Sequence, residues 1–223
     1  MRVSEGARRI NRHGGAIFIH DDWREKTPMD VREVPTIVQS PIAPIALRDF
    51  VYGRLLEISP AERYRSTLIA GETGLLARGF DERHVCNYGG FPPEWRERNR
   101  IARQLLREAN EQFQRADSLQ GIPGFWEDHR NVHLWKERDY FAPRLLIPVR
   151  DEQGRIQACQ MRLPFITKRG LRYLWLSSSD LPLGCGSGSP LHFRFRLADL
   201  PRDARIVIVE GVAEGRCPFR VSS

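Results

Sequence analysis

Ile206-Val207-Ile208-Val209-Glu210-Gly211 sets four β-branched apolar residues in a row. A strand turns alternate side chains to opposite faces, so an unbroken run of this kind needs cover on both sides. In open α/β sheets such strands are central, and ligands gather in the crevice beyond their carboxyl ends. Glu210 stands at that end with Gly211 behind it. Residues 211–223 include Pro218 and show no helical periodicity, so a crossover helix and partner strand are not expected from them. The run is expected to open an α/β unit that this sequence does not complete.

Upstream, the pattern falls into parts. Residues 1–46 hold Pro28, Pro35, Pro41 and Pro44 and little sustained periodicity, which reads as an extended or disordered lead-in with one hairpin around Gly14–Ile19. From residue 47 to about 120 the period is helical. Leu47, Phe50, Val51, Leu55 and Ile58 form one apolar stripe. Ser59-Pro60-Ala61-Glu62 has the form of a capping box and predicts a second helix from Ser59, weakened or broken at Gly71 and Gly74. Asp81 predicts a further helical turn, with Phe80 packed outside it. Pro92-Pro93 opens the longest helix, about Glu94 to Ala116, with Ile101, Leu105, Ala109 and Phe113 inward. Arg96, Arg98, Arg100, Arg103 and Arg107 are assigned to its outer face. Glu94, Glu97, Glu108 and Glu111 interleave with them, so a solvated, ion-paired face competes with phosphate tracking as their explanation.

Beyond residue 122 the pattern turns to strands. Leu145-Leu146-Ile147 and Arg155–Leu163 flank Asp151-Glu152-Gln153-Gly154, predicting a β-hairpin with glycine at the turn. Leu171–Ser177 alternates, as does His192–Arg196, where Phe193 and Phe195 are expected inward. Helices followed by a mainly antiparallel sheet, then the Ile206 strand, give an α+β fold class. The expected divisions are a lead-in at 1–46, a basic helical and α/β part at 47–204, and the start of an α/β unit at 205–223.

The net charge of +7 and a pI near 9.7 favour polyanionic partners. Lysine occurs only at Lys26, Lys136 and Lys168, so arginine carries almost all the positive charge; genomic base composition accounts for that as readily as phosphate recognition does. Cys86, Cys159, Cys185 and Cys217 form no C-x-x-C pair, arguing against a disulfide framework and a zinc ribbon. No apolar stretch approaches transmembrane length and the amino terminus lacks a signal-peptide core, so a cytoplasmic chain without membrane contact is expected.

Four segments, in order, carry a resemblance: Arg144–Asp151, Gly154-Arg155-Ile156, Arg172–Ser177 and Val207–Gly211. Together they resemble the catalytic core of DnaG-type bacterial primases, especially the primase-like proteins of phages and mobile elements, over roughly residues 47–212. In that family a basic α/β subdomain leads into a Toprim fold whose first acidic motif ends a strand in Glu-Gly. The resemblance implies that Glu210 is the catalytic and Mg²⁺-binding carboxylate, and that Arg162 and Arg172 line the groove for template or incoming nucleotide. Arg172 stands where a lysine is usual, which keeps charge but changes reach. Ordinary surface arginines explain both positions equally well. The second Toprim motif, Asp-x-Asp, has no counterpart here, and one carboxylate is a poor Mg²⁺ site. Arg2–Ala7 looks like the segment after a primase zinc ribbon, whose cysteines are missing, so no zinc is expected and the chain reads as truncated at both ends.

Two functions from different classes are compatible with these residues. One is a primase-related nucleic-acid-binding fragment without a finished catalytic site; the alternative is an active Mg²⁺-dependent nucleotidyltransferase making primers on single-stranded DNA. Single-stranded DNA and nucleotides are the implied partners, with a replicative helicase as the protein partner the resemblance adds. A protein-interaction fold with incidental charge is a third. Other patterns point elsewhere. His129 and His133 have helical metal spacing but sit in a loop-like stretch with no third ligand. Gly184–Ser189 lacks a Walker lysine and reads as a mobile connector carrying an exposed Cys185. Trp126, Trp135 and Trp175 are candidates for base stacking, with core packing preferred for Trp175. Arg150 and Asp151 are assigned to the hairpin turn.

Overall fold

The computed structural model describes residues 9–10, 16–17, 40–114, 118–129, 131–136, 138–166 and 170–204. The chain divides into two compact units, Met1–Thr36 and Ile37–Ser223. In the first, β1 (Arg9–Ile10) pairs antiparallel with β2 (Ala16–Ile17). The second is α+β. In it, α1 (Ile45–Ile58) packs on a four-stranded sheet of β3 (Gly89–Phe91), β6 (Arg144–Arg150), β7 (Ile156–Arg162) and β8 (Tyr173–Trp175), and α2 (Trp95–Phe113) packs against α1 in the same core. The order is β3-β6-β7-β8, with every pair antiparallel. A separate hairpin joins β4 (Phe125–Glu127) to β5 (Val132–Leu134). The Ile206–Val209 strand and Glu210 lie outside the described residues, as does Cys217.

The predicted hairpin is the centre of the sheet. β6 and β7 pair from Leu145↔Arg162 to Val149↔Ala158, with a register shift before Arg150↔Ile156. The turn is closed by buried Asp151, whose carboxylate accepts from the backbone N–H groups of Gln153 at 3.0 Å and Arg155 at 2.8 Å. Gly154 has φ +85°, the left-handed conformation that glycine adopts without a steric cost. One face of the hairpin, with Leu146, Cys159 and Met161, joins α1 and α2 in the larger core; the other, with Leu145 and Ile147, joins Leu68, Ile69 and Leu75 in a smaller one. Period-two alternation thus feeds two cores from one strand.

Helix α1 follows its stripe: Leu47, Val51 and Leu55 are buried, with Phe50 and Ile58 packed at the margin. It is tied to β7 by polar contacts as well. The Asp49 carboxylate accepts from the Ile156 N–H at 2.7 Å, and Arg48 donates to the Gln157 carbonyl at 2.5 Å. No helix starts at Ser59. Ser59 is the C-cap of α1, and its hydroxyl donates to the Gly90 carbonyl at 2.6 Å, so the predicted capping box never forms. The chain continues instead through a 3₁₀ turn (Ala61–Tyr64), a π turn (Arg65–Ile69) and a second 3₁₀ turn (Leu76–Arg78). Asp81 does cap the next 3₁₀ segment, Glu82–Asn87, accepting from the Arg83 N–H at 2.9 Å.

Helix α2 departs from expectation at one position. Arg98 is not on the outer face: it is fully buried, 0 % exposed. Its guanidinium donates to the carbonyls of Pro92 (2.8 Å), Pro93 (2.7 Å), Lys136 (3.0 Å) and Arg138 (2.5 Å). It lies 5.3 Å from the Phe91 ring centroid and 4.9 Å from that of Tyr140. Burial lowers its pKa to about 10, so it stays charged near neutrality. Four carbonyls from two connections, before α2 and after β5, therefore converge on one cation.

Residues 192–196 are not a strand. The Arg150 N–H donates to Nδ1 of His192 at 3.0 Å in place of a backbone carbonyl, and only the Phe193 N–H to Arg150 carbonyl bond (2.9 Å) runs between the backbones there. Phe195 is exposed rather than inward. The glycine-rich connector is anchored at its start: Cys185 is buried, and its N–H donates to the Ser178 hydroxyl at 3.0 Å. A Cβ on Gly184 would sit 1.8 Å from the Ser178 carbonyl oxygen. Among the described residues, no helix is long and apolar enough to cross a membrane.

These contacts make two outcomes measurable. Arg98→Met strands four carbonyls around an apolar side chain and is expected to cost about 3 kcal/mol or more in urea unfolding; a loss under about 1 kcal/mol would show that the carbonyls are not held by this cation. His192 is pushed down to about 4, first by burial and then by Arg150 and Arg194. Its unfolded form takes a proton first, so the stability it contributes is full above about 6.5 and is lost as pH falls towards its folded value. Melting temperature is expected to decline between pH about 6.5 and about 5, before most carboxylates titrate, and His192→Gln is expected to flatten that decline.

Candidate nucleic-acid interface

The smaller-core face of the sheet ends in a group of cations. Arg162 closes β7 and lies in register between Leu145 on β6 and Tyr173 on β8, and cross-strand partners share a face. Arg162 is buried, at 9 % exposure, and its Nη1 donates to the Thr73 carbonyl at 2.9 Å. Arg78, on the 3₁₀ turn Leu76–Arg78, reaches the same place: its Nη2 donates to the Tyr173 hydroxyl at 3.2 Å. That turn stops at Gly79, whose φ of +82° ends the helical path immediately after the arginine.

Arg172 precedes Tyr173 and is exposed. Its carbonyl accepts from the Leu163 N–H at 2.8 Å, which extends the β7–β8 pairing and holds Arg172 at the sheet end. Both sequence-predicted arginines are therefore at one end of one sheet, one buried and one exposed. Glu210, the third predicted site residue, lies outside the described residues.

The electrostatics of the group are one-sided. Burial lowers the Arg162 pKa most, and the charges of Arg78 and Arg172 lower it further; Tyr173 works in the opposite direction. None of these leading influences is a carboxylate. Tyr88, behind the same turn, is raised by burial while Arg194 and Arg78 pull it down. A buried cation facing like charges is relieved by an incoming anion, and backbone phosphate supplies one with oxygen acceptors for guanidinium N–H groups.

Sequence reasoning misses Arg78 and Tyr173. Arg78 falls in a stretch expected to be broken helix, and nothing local separates it from other surface arginines. Tyr173 is visible only as one residue of an alternating strand, although its place beside Arg172 is a signal that could have found it.

Most of the remaining candidates are absorbed by the fold, though His129 is exposed. His133 is on β5, and both ring nitrogens are engaged: Nε2 with the Asp128 carboxylate at 2.9 Å and Nδ1 with the Asn99 amide at 3.0 Å. Trp126 stacks on that imidazole at 4.3 Å and donates its indole N–H to the Trp135 carbonyl. Trp135 is buried with its ring edge-on to Phe91, whereas Trp175 is half-buried on the edge strand. Among the described residues, no group of three or more His, Cys, Asp or Glu side chains is placed to hold a metal ion.

Arg98 and Arg162, two of the buried arginines, should answer substitution differently. Arg162 donates to the Thr73 carbonyl and sits among like charges, so Arg162→Met is expected to change unfolding free energy by no more than about 1 kcal/mol. A loss as large as that of Arg98→Met, read in the same urea titration, would mean that Arg162 is a structural cation.

No family model matches the chain, and no curated protein matches its sequence. Among solved structures it is similar to the RNA polymerase domain of Mycobacterium tuberculosis primase DnaG in complex with a double-stranded DNA oligomer with a 6-nucleotide overhang. The identity is 16%, the match covers 61% of this chain and 40% of that one, and the TM-score is 0.37. A second structure of that domain gives 17% identity, 61% and 41% coverage and a TM-score of 0.35. A DnaG primase catalytic domain bound to ssDNA gives 16%, 61%, 40% and 0.35. The chain spans about 40% of the length of the domains it matches.

Proposed function

We propose that this chain is a primase-related nucleic-acid-binding domain. Its sheet end, with Arg78, Arg162 and Tyr173 and with Arg172 at the rim, receives the backbone phosphates of single-stranded DNA or the phosphates of a nucleotide. The observation that carries this reading is the gathering of three arginines around one tyrosine with no carboxylate among the leading influences on Arg162. The order of the Arg144, Gly154, Arg172 and Val207 segments supports the primase relationship, and the net charge of +7 supports a polyanionic partner. The finer parts of the same reading are a Toprim unit opening near residue 205, a kinship with mobile-element primases, a helicase partner and a cytoplasmic setting.

The proposed role is binding. Glu210 is the position that the primase reading gives to Mg²⁺, but the residues around it are not among those described, so no reaction step is assigned to this chain.

Fluorescence anisotropy with a labelled oligothymidine tests the role. Affinity is expected to fall steeply as KCl rises, because each phosphate contact on a single strand adds about 0.7 to the log–log slope. Arg172→Gln, and more strongly Arg78→Gln with Arg172→Gln, is expected to weaken binding by roughly tenfold or more and to reduce that slope. Affinity that stays flat with salt would contradict phosphate recognition altogether.

A further inference from the structure

With Arg98 turned inward, the other four arginines assigned to the outer face of α2 fall on one line. Arg96, Arg100, Arg103 and Arg107 are all exposed, and their spacing of four, three and four residues returns to the same side of the helix. The ridge spans on the order of 16 Å at 1.5 Å per residue. A DNA strand places a phosphate about every 3.4 Å of duplex axis, so the ridge is long enough to meet several in succession.

Two of the three carboxylates on the helix, Glu97 and Glu108, are shared with neighbouring elements. Glu97 is drawn to Arg63 at 2.5 Å and keeps a longer ion pair with Arg100 at 3.7 Å; its side chain is 16% exposed. Glu108 pairs with Arg54 of α1 at 2.8 Å and takes a hydrogen bond from Gln104 at 2.9 Å. Glu111 is exposed at the far end. A face built only for solvation keeps its acids beside its bases; here both interior acids of the helix make their shorter ion pairs to neighbouring elements, which leaves the ridge with a surplus of positive charge.

We infer that this ridge is a second nucleic-acid contact, separate from the sheet end, which tracks backbone phosphates without reading bases. The rest of the helix favours this class of partner. Among the described residues, none of the exposed large apolar side chains is on α2, so the ridge lacks the anchors of a protein interface. The apolar face of the helix is spent on the core, through Ile101, Leu105 and Ala109, and is not free to enter a bilayer. The inference rests on nucleic acid being the partner, as proposed above, but on different residues.

The test is a full-length variant with Arg96→Gln, Arg100→Gln, Arg103→Gln and Arg107→Gln, chosen because glutamine keeps helix propensity. Circular dichroism and melting temperature confirm its fold. Binding of labelled oligothymidine and of a duplex is measured across KCl concentrations, beside Arg172→Gln. The ridge variant is expected to lose about 3 from the log–log slope on single strands, or nearer 4 on a duplex, whichever form the track prefers. Arg172→Gln is expected to lose no more than about 1. A slope unchanged in the ridge variant while wild-type DNA binding persists would overturn this inference alone. Absence of DNA binding by wild type would overturn the proposed function too, as would binding of anionic vesicles in preference to both oligonucleotides.

Discussion

Alternation along β6 serves two cores at once, and most of the second unit is arranged around that constraint. Leu146 faces α1 and α2, while Leu145 and Ile147 face the short helical turns on the other side. A slip of one residue in the β6–β7 register would send each set to the other core and mispack both. The register is pinned locally by Asp151, which closes the turn with its own carboxylate, and from a distance by Asp49 and Arg48 of α1. That register sets Arg162 opposite Leu145 and the β7–β8 pairing sets it opposite Tyr173, so the candidate interface is built on the strand that builds the fold.

Two of the buried arginines, Arg98 and Arg162, are used in different ways. Arg98 is surrounded by carbonyl oxygens and aromatic faces, so its hydrogen-bonding capacity goes into holding two connections together. Arg162 is close to other cations and donates to the carbonyl of Thr73. Burial lowers both guanidiniums first; Arg98 has Tyr140 and Asp139 acting against that, whereas Arg162 has Tyr173 and no carboxylate among its leading influences. Arg172, exposed at the same sheet end, adds to the positive charge there, and the proposed phosphate contact rests on that grouping.

The parts that are legible in the sequence are those set by local chemistry. Asp151–Gly154 between alternating runs specifies the hairpin, Pro92-Pro93 and the Ile101–Leu105–Ala109 stripe specify α2, and Asp81 specifies a cap. The hidden parts depend on a distant partner. Ser59 looks like an N-cap until Gly90 takes its hydroxyl. Residues 192–196 alternate like a strand, yet an imidazole occupies the N–H that a ladder would need. Arg98 resembles its four exposed neighbours because the carbonyls of Lys136 and Arg138 come from far along the chain. At the site, Arg162 and Arg172 are visible as basic positions on strands, whereas Arg78 joins them only through the tertiary packing of its turn.

The most direct measurement of phosphate recognition at the sheet end follows the arginine side chains themselves. In ¹⁵N-edited NMR spectra, the Nε–H resonances of Arg162 and Arg78 are assigned by single substitution and observed as oligothymidine is added. Both are predicted to move and saturate with the binding curve, while Arg98, whose guanidinium is already engaged by four carbonyls, stays in place. Saturated binding with the Arg162 and Arg78 resonances unmoved would contradict that recognition.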